Sequence, residues 1–284
     1  MSRPNGIIIS HFQASPLLQA RRDGRRNAEV SLDLGLTSVE VALDGEGVLL
    51  PGGRRLAWPE VERIAGDENA CFTVEDGRPE KVQFYSQEFA RVYTLMPTAG
   101  APTMLISGVP MHRIKGIEPH EDTLRKMRTV APVRGRVLDT ATGLGYTAIE
   151  AAKTADEVVT IELDPTALEV ARLNPWSRAL FDNATIQQLI GDAFDLVQTF
   201  ADGSFDCVIH DPPAMSLAGE LYSGAFYVQL LRVLRPGGWL FHYVGDPESR
   251  SGSGTTRGVI RRLQEAGFRE IIRRPEAFGV VARK

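Results

Sequence analysis

Four acidic residues stand at the ends of hydrophobic segments, where their carboxylates could bind a cation or the hydroxyl groups of a sugar. They are Asp139, Glu162, Asp192 and Asp211. Each one ends or follows an apolar run that predicts a buried β-strand. In an open parallel sheet, ligands bind outside the carboxyl ends of the strands, so these acids should meet at one edge. A single acid there is usually a helix cap, but a series at successive strand ends predicts a ligand site.

A glycine turn follows the first of these strands. Gly143, Gly145 and Ala148 match the G-x-G-x-x-A pattern of a dinucleotide site, so NAD(P) is one candidate ligand. The Asp139 carboxylate beside the turn would repel a pyrophosphate and attract an ammonium or a sulfonium ion. S-adenosylmethionine (SAM) carries both cations and no phosphate. Glu162 follows the glycine turn at about the sequence separation where an acid binds ribose hydroxyls in such folds. The pattern therefore favours SAM.

The order of these motifs resembles that of the class I SAM-dependent methyltransferases over residues 119 to 284. A closer likeness, to a predicted and mainly archaeal methyltransferase branch, rests on residues 107–116, 140–147 and 218–223. The resemblance implies an α/β fold with a Rossmann-like sheet, which is parallel except for an antiparallel edge hairpin. It also implies SAM as the cofactor and methyl transfer as the reaction.

The resemblance assigns parts of the cofactor to particular residues. Asp139 would bind the methionine ammonium group, the glycine turn would pass beneath the methionine moiety, and Glu162 would accept from the ribose hydroxyls. Leu163 would pack on adenine, and Asp192 with Ala193 would reach the adenine edge. The complete predicted set is Asp139, Thr140, Thr142, Gly143, Leu144, Gly145, Tyr146, Glu162, Leu163, Asp192, Ala193 and Asp211. Tyr146 is expected near the SAM carboxylate.

The segment Asp211-Pro212-Pro213 is the candidate acceptor site. In amino-group methyltransferases the related Asn/Asp-Pro-Pro-aromatic loop receives the target nitrogen, so the predicted acceptor is an amino nitrogen on RNA or a small molecule. The fourth position here is Ala214, which removes the stacking ring unless Tyr222 or Tyr227 supplies it. The predicted catalytic residues are Asp211, Pro212, His210 as a base, and Tyr222.

Two other functions stay open at this point. The stretch from Asp211 to Gly238 is also similar to spermidine-synthase-type aminopropyltransferases, which share the fold and use decarboxylated SAM. A cationic polyamine would need an acidic channel. The candidates for that channel are Glu118, Glu121, Asp122, Asp211 and Glu220. The other alternative is a non-catalytic SAM-binding scaffold.

Composition and charge limit the remaining possibilities. The chain has 284 residues, a net charge of −4 and two cysteines without metal-ligand spacing, which predicts a cytoplasmic protein with no metal site. No segment resembles a signal peptide or a membrane span, so no membrane partner is expected. The chain has local arginine runs at 21–26, 261–262 and 273–274, and an RNA acceptor would need them gathered on one face with the site.

The chain is expected to form two domains. Short alternating segments separated by turns predict a small β-rich domain over residues 1–107, with one helix at 58–64. Its predicted roles are substrate contact and homodimer formation, with a structural cap as the alternative. Residues 108–284 form the predicted SAM-binding domain, which begins with a helix at 119–130. The Ser- and Gly-rich segment 249–256 predicts a flexible loop.

Overall fold

The computed structural model describes residues 6–215, 217–247 and 249–284, without the side chains of Arg250 and Ser251. The strands are β1 (Ile7–Ile9), β2 (Asn27–Val30), β3 (Val39–Leu43), β4 (Gly47–Leu50), β5 (Arg54–Ala57), β6 (Phe72–Glu75), β7 (Arg78–Lys81), β8 (Gln83–Ser86), β9 (Arg91–Met96), β10 (Thr103–Ile106), β11 (Val109–Pro110), β12 (Arg136–Asp139), β13 (Glu157–Glu162), β14 (Ile186–Ile190), β15 (Phe205–His210), β16 (Leu234–Tyr243), β17 (Arg269–Arg274) and β18 (Gly279–Arg283). The helices are α1 (His11–Arg22), α2 (Trp58–Ala65), α3 (Pro119–Arg128), α4 (Tyr146–Ala151), α5 (Pro165–Leu173), α6 (Arg178–Asp182), α7 (Ala193–Thr199), α8 (Gly224–Val233) and α9 (Arg250–Ala266). Short 3-10 helices cover Pro175–Ser177, Gly219–Tyr222 and Pro275–Ala277.

The chain divides into two compact units. The first runs to His120 and includes Thr166–Arg178, and the second comprises Glu121–Pro165 and Ala179–Lys284. The first unit extends past the expected boundary at residue 107, because β11 pairs with β10 and completes a four-stranded sheet. The division into a substrate-contact domain and a SAM-binding domain stays a prediction.

The first unit is rich in antiparallel β-structure, as its alternating sequence predicts. Its sheets have the orders β1-β6-β7, β2-β3-β4-β5 and β8-β9-β10-β11. The helix expected at 58–64 is confirmed as α2, with a proline in its first turn. Helix α1 was not anticipated. Ser10 and Gln13 form a capping box at its start, and it packs against α2 around Leu17 and Ile64.

The second unit contains one seven-stranded sheet, and its order is β14-β13-β12-β15-β16-β18-β17. Strands β12 to β16 pair in parallel, whereas β18 pairs antiparallel with both β16 and β17. This arrangement confirms the Rossmann-like α/β fold and its antiparallel edge hairpin. The apolar strand interiors explain it, since residues such as Val159 and Val208 are fully buried, as expected for a sheet covered on both faces.

One local prediction in this unit was wrong. The Ser- and Gly-rich segment expected as a loop at 249–256 forms the first turns of α9, apart from Ser249 itself. Ser249 is the N-cap, and its side chain accepts a hydrogen bond from the Gly252 amide. The helix is held by tertiary packing, because Val259 and Leu263 are buried in the core that α8 also contributes to. Tertiary contacts thus outweigh the poor helix propensity of glycine.

Candidate functional site

The four strand-end acids lie at one edge of the sheet in the second unit. Asp139 ends β12, Glu162 ends β13, Asp211 follows β15 directly, and Asp192 lies just past β14 as the N-cap of α7. The sheet order places β14, β13, β12 and β15 side by side. The carboxyl ends of these parallel strands therefore bring all four side chains to the edge where ligands bind in such sheets.

Asp139 is a buried carboxylate with one satisfied oxygen. Its Oδ2 accepts hydrogen bonds from Thr147 Oγ1 at 3.1 Å and from Thr160 Oγ1 at 3.0 Å. Its Oδ1 is buried and accepts no hydrogen bond of good geometry from the residues that the structure describes, although the nearby Ala141 amide acts to lower the pKa of Asp139. Burial raises the pKa of Asp139 to about 7, and the negative charge of Asp211 adds to the increase. An orphaned oxygen of this kind is an acceptor for a cationic ligand group.

Glu162 connects the second strand to the glycine turn. Its Oε2 accepts from the Gly143 amide at 2.8 Å, and its Oε1 accepts from the Asp164 amide at 3.1 Å. Loss of hydration raises the pKa of Glu162 to about 7. The residue as a whole is half-buried, and each carboxylate oxygen accepts from one backbone amide. Leu163 follows it with 40% of its surface exposed, an apolar face beside this carboxylate.

Most of the remaining predicted cofactor residues are buried. Thr140, Thr142, Leu144 and Tyr146 are buried, and the Thr142 hydroxyl hydrogen-bonds the Thr160 hydroxyl at 2.7 Å. Their side chains support the turn from inside the fold. Asp192 accepts from the Phe194 amide at 2.7 Å and therefore acts as a helix cap. Ala193 is buried beneath it.

The Asp-Pro-Pro segment is held from behind by Tyr222. The Tyr222 hydroxyl donates to the Pro213 carbonyl at 3.0 Å, and Tyr222 itself is buried. Burial raises the pKa of the Tyr222 phenol, so the hydroxyl keeps its proton and remains a donor. Pro212 is buried next to it. Tyr222 thus fixes the path of the segment that carries Asp211.

His210 is enclosed in the fold, with both ring nitrogens engaged. Nε2 lies 2.9 Å from the Leu221 carbonyl and must donate to it, so Nδ1 of the neutral ring accepts from the Thr140 hydroxyl at 2.6 Å. Burial lowers the pKa of His210 to about 3, which keeps the ring neutral. This geometry links the end of β15 to the 3-10 helix at Gly219–Tyr222. It supports a positioning role and does not favour the predicted role as a base.

Similarity to known proteins extends over the whole chain. It is 43% identical to the uncharacterized protein MJ1233 of Methanocaldococcus jannaschii, and the match covers 100% of this chain and 99% of that protein. The chain belongs to the MJ1233 family. A model of the methyltransferase domain family matches residues 138–242, which hold the glycine turn and all four strand-end acids.

Members of a second enzyme group are also similar to this MJ1233-family protein. The polyamine aminopropyltransferase of Aeropyrum pernix is 34% identical over 83% of this chain, which spans 65% of the length of that relative. A crystal structure of spermidine synthase in complex with the transition-state analogue AdoDATO has a TM-score of 0.58 at 19% identity, covering 74% of this chain and 77% of the other. This last likeness shows the shared fold. The fold is thus common to a methyltransferase domain family and to spermidine synthase.

Sequence reasoning missed the central cation of the site in this MJ1233-family chain. Lys126, on α3, is buried with its Nζ 2.7 Å from Asp211 Oδ2 and 3.1 Å from Asp122 Oδ2. Two of the five acids proposed for an acidic channel, Asp122 and Asp211, therefore converge. Glu121 instead contacts Arg125 and Arg128. The sequence signal for this ion pair was the four-residue spacing of Asp122 and Lys126. That spacing usually indicates an exposed ion pair on a helix.

Metal-binding clusters and membrane-spanning helices are both absent from the described residues. In the part of the chain that the structure describes, no group of three or more His, Cys, Asp and Glu side chains is arranged to hold a metal ion. None of the described helices is both long enough and apolar enough to cross a bilayer.

The two glycines of the turn provide a matched test of this geometry. Both have positive φ, +52° at Gly143 and +77° at Gly145. An added Cβ would meet nothing within 4 Å at Gly143, whereas at Gly145 it would lie 2.7 Å from Leu180 Cδ2. Gly143→Ala should lower the free energy of unfolding by about 1 kcal/mol, the cost of the left-handed conformation. Gly145→Ala should lower it by about 2 kcal/mol or more, because the Leu180 contact adds to the strain.

Urea unfolding of both variants measures this difference. Equal stabilities would show that Leu180 does not pack on the turn as described. Gly143→Ala should also weaken nucleotide binding, because its new methyl group would occupy the open space above the turn.

Proposed function

We propose that this protein transfers an aminopropyl group from decarboxylated SAM to an amine acceptor. In this reaction the acceptor nitrogen attacks the propyl carbon that is bonded to the sulfonium sulfur. The new N–C bond forms as the C–S bond breaks, sulfur keeps the bonding electron pair, and methylthioadenosine leaves. The attacking nitrogen must be free of one proton before or during the step, so a proton acceptor is needed nearby.

The observation that carries the proposal is the pairing of two carboxylates at adjacent strand ends. Asp139 ends β12, and Asp211 directly follows the neighbouring strand β15. The charge of Asp211 contributes to the raised pKa of Asp139. Lys126 is the cation in contact with this pair through Asp211, and Asp122 contacts it as well. The cluster of Asp122, Asp139 and Asp211 with Lys126 thus holds one more negative than positive charge even when Asp139 is protonated.

This excess of negative charge suits the two substrates. Decarboxylated SAM carries an ammonium and a sulfonium group and, unlike SAM, no carboxylate that the cluster would repel. A polyamine acceptor is also cationic and is attracted by the same field. The 34% identity with a polyamine aminopropyltransferase over most of the chain supports this choice.

Roles follow for the individual residues. Asp139 Oδ1 would accept from the ammonium group of the donor, and Glu162 would accept from the ribose hydroxyls while Leu163 packs on adenine. Asp211 would accept the proton of the acceptor nitrogen. Tyr222 and His210 would position the Asp211 segment through Pro213 and Leu221. The buried Tyr146 would support the turn from within.

Methyl transfer from SAM is the second candidate, and the methyltransferase-domain match over residues 138–242 favours it. Those residues include the glycine turn, Glu162 and Asp211, which either reaction would use. The two reactions differ in whether the donor has a carboxylate. Donor preference therefore separates them.

Calorimetric titration with decarboxylated SAM, SAM, methylthioadenosine and S-adenosylhomocysteine tests the proposal. We expect decarboxylated SAM to bind at least tenfold more tightly than SAM. Asp139→Asn should weaken the binding of decarboxylated SAM by about 10- to 100-fold, because a charge-assisted hydrogen bond contributes about 1.5–3 kcal/mol. The same substitution should change methylthioadenosine affinity little, since that product lacks the ammonium group.

Product analysis with an amine acceptor completes the test. Tight binding of SAM and a methylated product would reject aminopropyl transfer in favour of methyl transfer. Tight nucleotide binding without any transfer product would support the non-catalytic SAM-binding scaffold. Failure to bind any of these nucleotides would reject both transfer reactions and that scaffold. An RNA acceptor and a homodimer, both expected from the sequence, stay predictions.

A further inference from the structure

Lys126 is an ammonium group enclosed in the protein interior. Its side chain is 1% exposed, and Asp122, which contacts it, is fully buried. Nζ also lies 4.5 Å from the centre of the Tyr243 ring. A buried cation is costly unless it is paired, and here two carboxylates and an aromatic face surround it. The pairing raises the pKa of Lys126, so the group stays charged.

The two carboxylates that Lys126 contacts differ in their access to solvent. Asp122 is fully buried, whereas the Asp211 side chain is 17% exposed and follows β15 at the ligand edge. The contact to Asp211 is also the shorter, at 2.7 Å against 3.1 Å. Lys126 therefore connects Asp122, which is inside the protein, to Asp211, which a substrate can reach.

We infer that Lys126 is a positioning residue, which holds the Asp211 carboxylate ionised and in a fixed orientation toward the acceptor. The inference rests on the proposed function, because it gives Asp211 the role of accepting the proton of the amine. One oxygen, Oδ2, is held by Lys126, so rotation of the carboxylate is restrained. Asp122 acts from the far side by holding Lys126 in place.

The charged and titratable groups around the Lys126–Asp211 pair come from several elements. Lys126 and Asp122 belong to α3, Asp139 ends β12, Tyr222 lies in the 3-10 helix before α8, and Tyr243 ends β16. Of these, Lys126 is the cation. Asp122 and Asp139 oppose ionisation of Asp211 to the extent that they are themselves ionised. Removing the lysine charge should therefore move the Asp211 titration to higher pH.

Carbon-13 NMR titration of the aspartate carboxyl groups, with Asp211 assigned through Asp211→Asn, tests this directly. In Lys126→Met the pKa of Asp211 should rise by about one pH unit or more, and in Lys126→Arg it should stay near its wild-type value. Asp122→Asn/Lys126→Met removes the buried Asp122 carboxylate along with the cation. It provides the same titration if Lys126→Met alone does not fold.

Steady-state kinetics with decarboxylated SAM and an amine gives a second readout. We expect the acid limb of the kcat profile to move to higher pH in Lys126→Met by the same amount as the NMR pKa. At each pH below the displaced limb, kcat should fall about tenfold for every pH unit by which the limb has moved. Donor affinity should stay within twofold of wild type, and Lys126→Arg should restore the wild-type limb.

An Asp211 pKa unchanged in a folded Lys126 variant would overturn the inference. So would a loss of kcat that has the same size at every pH, since a purely structural defect produces that result. Failure of the proposed function gives a different result, because wild type would then show no aminopropyl transfer. The NMR titration would still report the effect of Lys126 on the pKa of Asp211.

Discussion

Asp211→Asn is expected to lower the rate of aminopropyl transfer by about 10²- to 10⁴-fold, the range that a positioned acid–base group contributes. The substitution keeps the shape of the side chain and removes the negative charge that would accept the amine proton. The fold should survive, because Lys126 retains its contact with Asp122 and the asparagine oxygen can still accept from Nζ. Single-turnover measurement of methylthioadenosine formation, with acid quenching, gives the rate without interference from product dissociation.

Asp192→Asn is the matched control for this change. Asp192 also follows a strand at the same edge, but its carboxylate caps α7 through the Phe194 amide. Asparagine is an equally good N-cap, so this variant should keep a rate within about threefold of wild type. If Asp211→Asn and Asp192→Asn lose activity equally, the general charge of the edge matters and Asp211 has no specific role.

Binding of decarboxylated SAM should weaken by about tenfold for each pH unit below 7. Only the ionised Asp139 carboxylate attracts the ammonium group, and burial raises the pKa of Asp139 to about 7. Below that pH, binding must first remove one proton. From pH 7 to pH 5 the expected loss is therefore about 100-fold, and Glu162, whose pKa is also raised to about 7, adds to it if the ribose hydroxyls require its charge.

Calorimetry in two buffers of different ionisation enthalpy measures the coupled proton. Near pH 6 wild type should release one proton or more per ligand bound, and Asp139→Asn should release one fewer. A flat affinity between pH 5 and pH 8 would show that Asp139 is already ionised in the free protein and that its burial does not affect binding.

The free energy of unfolding of the ligand-free protein should also depend on the ionisation of Asp139. Asp139 keeps its proton up to about pH 7 in the folded state, whereas the ordinary value is 3.8. Between these values the folded chain binds more protons than the unfolded chain, so the free energy of unfolding decreases as the pH rises through this window. Bound donor should offset that decrease at pH 8.

Local sequence was sufficient to predict the glycine turn and the acidic edge of the sheet. Each strand there ends in an acid or is followed closely by one, and a glycine turn with positive φ follows the first strand. Parallel strands in such a fold must place their carboxyl ends together, so the edge formed by Asp139, Glu162, Asp192 and Asp211 followed from periodicity and motif order alone. The antiparallel hairpin of β17 and β18 was expected from the resemblance to methyltransferases.

The surroundings of Asp211 depended on contacts between distant parts of the chain. Lys126 meets Asp211 across 85 positions of sequence, and the pairing of His210 with Thr140 spans 70. A lysine on a helix and a histidine at a strand end have the same local patterns whether they are exposed, buried or catalytic. Only the packing of α3, β12 and β15 decides which carboxylate a buried ammonium neutralises and which imidazole nitrogen is already occupied. The sequence by itself therefore determined the sheet and its acidic edge, and the tertiary structure decided the charge balance at that edge, because burial and long-range pairing set the ionisation of each group.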